Sequence, residues 1–140
     1  MARFLTADTV AALLAHFPGK QFRSTSTELQ AGFRQVALEF PTLFGAVSFG
    51  RVGAYVSSPT IEAALDSLAA SGFYSRHNRN LVTYQLNKEK LQSYYTDYLE
   101  SRFNEANIEL DTIKQASQKL HDALRVIHES TDLERLLVVG

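Results

Sequence analysis

There is no cysteine in this 140-residue chain. That absence excludes disulfides, thiolate zinc sites and a cysteine nucleophile, and it suits a reducing, cytoplasmic setting. Long apolar runs are missing too. Nothing approaches the roughly 20 residues that cross a bilayer, and the N-terminus lacks the basic region and apolar block of a signal peptide. No membrane is therefore expected among the partners. A large charge of one sign is also absent, and the net value of −1 argues against strong nonspecific binding to nucleic acid. The charge is unevenly spread: residues 1–86 hold seven Lys/Arg against five Asp/Glu, whereas residues 87–140 hold seven against ten. Neither Pro nor Gly occurs between Lys88 and Val139, so a very long helix is allowed there. What is plentiful is apolar side chain, at 45%, enough for a packed core rather than disorder.

The motifs of catalysis are missing as well. There is no Gly-x-Ser-x-Gly, no phosphate-cradling glycine loop and no dinucleotide fingerprint. The glycines at 45, 50 and 53 lack the required spacing. His16, His77, His121 and His128 form no ligand box, and the carboxylates are scattered, so no metal site and no acid–base pair is expected. The chain reads as neither an enzyme nor the holder of a cofactor.

Periodicity and punctuation outline the elements. Thr6 caps a first helix, which Phe17-Pro18-Gly19 stops. Ser24–Thr27 offers caps for a second helix over about Glu28–Glu39, with Leu29, Phe33, Val36 and Phe40 at helical spacing and Pro41 closing it. The tract Leu43–Val56 is ambiguous between a glycine-tolerant helix and a small hairpin, and the motif that follows it favours helix. Pro59 opens the next helix, whose buried stripe is Ile61, Ala64, Leu65 and Leu68, and Gly72 ends it. Phe73–Arg76 and Leu81–Leu86 read as two strands around His77-Asn78-Arg79-Asn80. Asn87 caps a long helix from Lys88, with a break expected near Ser130, where Thr131-Asp132-Leu133-Glu134 matches a capping box.

Along that helix, Leu99, Phe103, Ala106, Leu110, Ile113, Leu120, Leu124 and Ile127 recur in alternating steps of four and three, with Ser117 in the one polar slot. This is the seam of a coiled coil. A helix from Lys88 to Glu129 is about 60 Å long at ~1.5 Å per residue, too long for a compact chain of this size to cover. It must protrude, bend or pack on another chain. Self-association through the seam is the expectation, against the alternative of a helix that covers its own domain. The ending Leu-Leu-Val-Val-Gly is also consistent with a piece of something longer.

The run Val56-Ser57, Pro59-Thr60-Ile61, Ala64-Leu65, Leu68 and Gly72 resembles the helix-turn-helix of bacterial winged-helix transcriptional regulators of the gluconate-repressor and phenolic-acid-regulator types. The likeness covers about residues 44–86. It implies that Ser caps a recognition helix, that Ile and Leu anchor it, and that Gly leads into the wing. The phenolic-acid-regulator type follows its wing with dimerising helices, as residues 88–129 would. Arg51 stands where the family usually carries Ala, and Tyr55 where it carries Gly. The outward face of the recognition helix, Ser58, Glu62, Ala63, Asp66, Ser67 and Ala70, holds two acids and no base. Winged-helix modules without basic residues there often dock proteins instead of DNA.

The expected fold is therefore mainly α with a small β-hairpin wing: a winged helix-turn-helix with an N-terminal helical extension over 1–86, then a long C-terminal coiled-coil helix and a short terminal helix over 87–140. The expected function is a dimeric DNA-binding protein of the transcriptional-regulator kind, with an interaction subunit of a larger complex as the alternative. Nucleic-acid contacts are expected from Arg51, Ser57, Ser58, Thr60, Arg76, His77, Asn78 and Arg79, the last four in the wing, where two arginines suit phosphates or a narrow minor groove. Expected partners are a second copy of the chain through the seam, double-stranded DNA, and possible further protein subunits.

Overall fold

A computed structural model describes residues 5–44, 49–52, 55–77 and 83–139, with the side chains of Ser26, of residues 51–56 and of residues 128–139 outside the description. The elements in chain order are α1 (Thr6–Ala15), β1 (Gln21–Arg23), α2 (Ser26–Glu39), α3 (Pro41–Phe44), β2 (Gly50–Val52), β3 (Tyr55–Ser57), α4 (Pro59–Ala70), β4 (Tyr74–His77), β5 (Thr83–Leu86), α5 (Lys88–Tyr94), a π-helical turn (Tyr95–Leu99), α6 (Glu100–Glu105) and α7 (Leu110–Val139). The protein is mainly helical, with a small antiparallel sheet of order β1-β5-β4 and a separate β2-β3 hairpin. Among the described residues no helix is long and apolar enough to cross a membrane.

The central element is α1. Every residue from Asp8 to Ala15 is buried, and α4, α5 and α7 pack around it. Its small residues Ala11, Ala12 and Ala15 allow that close wrapping. Burial on all sides obliges its polar groups to find partners. Asp8 accepts from the Leu5 amide at 2.9 Å and from Arg102 Nη1 at 3.0 Å. Helix α1 thus starts one residue earlier than a Thr6 cap implies: Leu5 is the cap position and Asp8 reaches back to it. At the other end Lys88 Nζ donates to the carbonyls of Leu14, Ala15 and Phe17, at 3.3, 2.8 and 2.7 Å. A cation there answers the negative end of the helix dipole, although burial lowers the lysine's pKa.

His16 lies just beyond, its ring edge-on to Tyr95 with centroids 4.6 Å apart. Its Nε2 is buried and has no hydrogen-bond partner among the described residues. Burial first, then the charges of Lys114 and Lys88, hold its pKa below 6.5. An unfolded chain therefore takes up this proton first as pH falls. The stability that neutral His16 contributes is complete above about pH 6.5 and is lost below it. Thermal denaturation should show Tm falling from pH 7.5 to 5.5, with His16→Phe flattening part of that fall. An unchanged slope in the variant would refute the assignment.

Helix α2 starts at a capping box, Thr25 accepting from the Glu28 amide at 3.1 Å and Glu28 from the Thr25 amide at 3.2 Å. It lies along α7 with Gly32 at the contact: a Cβ there would stand 2.9 Å from Leu124 Cδ2 and 3.2 Å from Leu120 Cδ1. Only hydrogen fits without moving those leucines.

Three expectations are corrected. First, Leu43–Val56 is not a helix. It is the single turn α3 followed by the β2-β3 hairpin, in which Gly50, Arg51 and Val52 pair with Ser57, Val56 and Tyr55. Glycine disfavours helix, and Val52, Tyr55 and Val56 favour extended backbone. The long helix preceding α4 is therefore α2, with the single turn α3 and the hairpin between them. Second, no continuous helix runs from Lys88. It stops at Glu105, and a new one begins at Leu110. Asn107 takes a left-handed φ of 61°, the Asn107 amide donates to the Asn104 carbonyl and the Ile108 amide to that of Phe103. That is a Schellman ending with Asn in the place usually held by Gly. Gly72, with φ 82°, closes α4 by the same pair of bonds, from Gly72 to Ala69 and from Phe73 to Leu68. Third, the expected break near Ser130 is absent: α7 is helical through it.

The consequence is that α7 returns across α1 and α2. Ser117 Oγ donates to the Leu13 carbonyl at 2.9 Å, and one apolar cluster joins residues from Val10 to Leu124. Residues of the stretch 87–140, from Leu91 to Leu124, thus share one core with α1 and α2.

Candidate nucleic-acid interface and the adjoining cleft

The start of α4 is fastened to α2. Ser58 Oγ accepts from the Ile61 amide at 3.3 Å. The Ser58 amide donates to Gln30 Oε1 at 3.1 Å, and Gln30 Nε2 donates to the Ser58 carbonyl at 3.2 Å. Ser58 is fully buried. It caps the helix, a role the resemblance gives to a serine without saying which, but it does not lie on the outward face expected from the sequence: its hydroxyl and amide are consumed inside the protein, so its assignment as a phosphate contact is corrected. Gln30 has no signal in the sequence, because a polar residue on a helix is ordinarily solvated.

The exposed residues of α4 are Pro59, Thr60, Glu62, Ala63, Asp66, Ser67 and Ala70. This is the acidic face that the sequence anticipates. Asp66 Oδ1 lies 3.8 Å from Arg76 Nη2, with the side chains 62% and 47% exposed. Such a pair contributes about 0–1 kcal/mol, yet it turns Arg76 toward α4. His77 is exposed, its Nε2 3.0 Å from Ser75 Oγ. Ser57 is half-buried at the end of β3, and Thr60 is open to solvent. Arg51 belongs to β2, with its side chain outside the described residues, as are Asn78 and Arg79 altogether.

Strand register sorts the sheet into two faces. Phe22, Tyr84 and Arg76 align across the three strands, as do Gln21, Gln85 and Ser75, and Arg23, Thr83 and His77. Side chains alternate, so Phe22, Tyr74, Tyr84, Leu86 and Arg76 share the inward face. Gln21, Arg23, Ser75, His77, Thr83 and Gln85 share the outward one. The outward face is polar throughout and contains no carboxylate. Gln21 and Arg23 escape a reading of the sequence because three residues are too few to mark β1 as a strand.

Between the inward face, α2 and α4 lies a cleft of about 240 Å³, lined among the described residues by Thr27, Leu29, Gln30, Ser57, Glu62, Leu65, Asp66, Tyr74, Arg76 and Tyr84. Tyr74 closes one wall, its hydroxyl donating to the Leu65 carbonyl at 2.6 Å, and burial above all pushes its pKa up to about 12. It remains a neutral phenol at physiological pH.

The seam is not a surface. Leu99, Phe103, Ile113, Leu120 and Leu124 are at most 4% exposed within the single chain, Ala106 and Ile127 are half-buried, and Leu110 alone is exposed. Of the eight residues expected at a dimer interface, the five buried ones instead belong to the chain's own core, and the turn at Asn107 brings Ile113, Leu120 and Leu124 to it. No protein-family model, curated protein or solved structure matches the chain.

Proposed function

We propose that this is a winged-helix DNA-binding protein of the transcriptional-regulator kind, gripping duplex through its wing and outward sheet face more than through α4. The observation that carries this is the outward face, with Arg23 and His77 set among Gln21, Ser75, Thr83 and Gln85 and no acid between them. The order α1, β1, α2, α4, β4, β5, with β1 against β5, supports the winged-helix reading, although the turn α3 and the β2-β3 hairpin are inserted between α2 and α4. The segment joining β4 and β5 carries Arg79 by sequence. Cations and amides on such a surface neutralise phosphates and position the protein without reading bases.

A second reading, an interaction module within a larger complex, is favoured by α4 itself: Glu62 and Asp66 are exposed, and Asp66 already engages Arg76. One titration separates the two. Fluorescence anisotropy on mixed-sequence duplex should show micromolar binding at about 50 mM salt, weakening steeply toward about 200 mM. Arg23→Ala with Arg79→Ala should lower the slope of log affinity against log salt by about 2. Absence of binding at the lower salt would sink the DNA reading and leave the docking one.

A further inference from the structure

We propose that the cleft between α4 and the inward sheet face binds a small organic monocation, an aromatic ring on a short chain ending in an ammonium group. Its volume of about 240 Å³ holds roughly eight waters at about 30 Å³ each. It falls below the ~300–1,000 Å³ of sites for drug-sized ligands. A nucleotide is too large, and one ring with two or three further atoms is the right scale.

The walls specify the chemistry. Tyr74 and Tyr84 meet with centroids 5.6 Å apart and planes tilted by 46°, and Phe22 stacks behind Tyr84 at 5.0 Å. Leu29 and Leu65 complete an apolar floor for a ring. The rim is ionic. Glu62 and Asp66 are one helical turn apart on α4, and Arg76 is the lone cation among the described lining residues. Two carboxylates against one guanidinium leave a net negative charge. Asp66 and Arg76 are only loosely paired at 3.8 Å, and the Glu62 side chain has neither hydrogen bond nor ion pair among the described residues. An ammonium placed between the carboxylates supplies the missing charge and gains charge-assisted hydrogen bonds. The tyrosine faces add cation–π attraction. A carboxylate ligand would face the same two acids. Arg76 is released as Asp66 turns to the ligand.

The binding stands on the cleft alone and does not depend on the DNA reading. The test is titration of the full chain with 2-phenylethylamine and, separately, with 3-phenylpropionate, which has a similar shape and opposite charge. Amide shifts at Leu65, Asp66, Tyr74 and Tyr84, and a shift of the Arg76 Nε resonance, should follow the amine. Its affinity should exceed that of the acid by about tenfold or more, and Glu62→Gln with Asp66→Asn should remove about that factor. Both substitutions are at exposed helix positions, so the fold survives them. Equal or tighter binding of 3-phenylpropionate, an amine affinity unchanged in the double variant, or no shift at the cleft with either probe would each overturn the proposal.

Discussion

Leu120→Asp is expected to unfold the chain, while Leu110→Asp is expected to leave it folded and sedimenting as before. On paper the two leucines are equivalent members of one heptad seam. In the structure Leu120 is fully buried, whereas Leu110 is 41% exposed and opens α7. Truncating a buried leucine to alanine costs about 2–5 kcal/mol, and aspartate adds the cost of an unpaired buried charge. Against a total stability of about 5–15 kcal/mol, little or nothing remains. At Leu110, an acid in the first turn of a helix is worth a favourable ~0.3–1 kcal/mol. Circular dichroism and sedimentation velocity on both variants decide the matter. Were the seam an interface between chains, Leu110→Asp would also dissociate it, and conversion of a wild-type dimer to a folded monomer by either substitution would refute the intrachain assignment.

Gln30→Leu carries the next largest effect. It removes both side-chain bonds that hold the start of α4. The Ser58 carbonyl keeps a partner, since it also accepts from the Glu62 amide at 3.0 Å. The Ser58 amide does not, and an orphaned buried donor costs about 1–3 kcal/mol. Urea denaturation should show a lower midpoint with an unchanged slope. Amide exchange at Ser58 and Ile61 should speed up, because α4 then begins without its tether to α2. The same variant reshapes the cleft, which Gln30 lines. A midpoint equal to the wild type would mean that the tether is not what positions α4.

Local chemistry was legible wherever one residue type has one dominant use. Pro59 at the first turn of α4, Gly72 as its left-handed stop and the stripe of Ile61, Ala64 and Leu68, with Leu65 half-buried beside it, are where spacing places them. Thr25 and Glu28 form the capping box that Ser24–Thr27 only offered as a choice. The paired strands β4 and β5 follow from the strand-like runs on either side of Asn-rich residues. The failures came where a residue has a second, rarer use. Asn107 ends α6 in the conformation usually given to Gly, so a search for Gly and Pro passes over it. The glycine tract before β3 admits helix or hairpin by local propensity, and β3 settling against α2 decided for the hairpin.

What the sequence by itself determined is therefore the set of local devices: caps, stops, apolar stripes and the acidic face of α4. Those depend on interactions within a few residues. Which surfaces those stripes meet was decided only by the tertiary structure. A heptad seam is equally good for a partner chain or for the chain's own helices, because apolar burial is non-directional. One left-handed residue at Asn107 turned α7 back onto α1 and α2, so that Ile113, Leu120 and Leu124 of the expected seam lie in the core. The same folding set β1 beside β5 and so gathered Arg23, Ser75, His77 and Gln85 on one face, residues whose common surface no local spacing encodes.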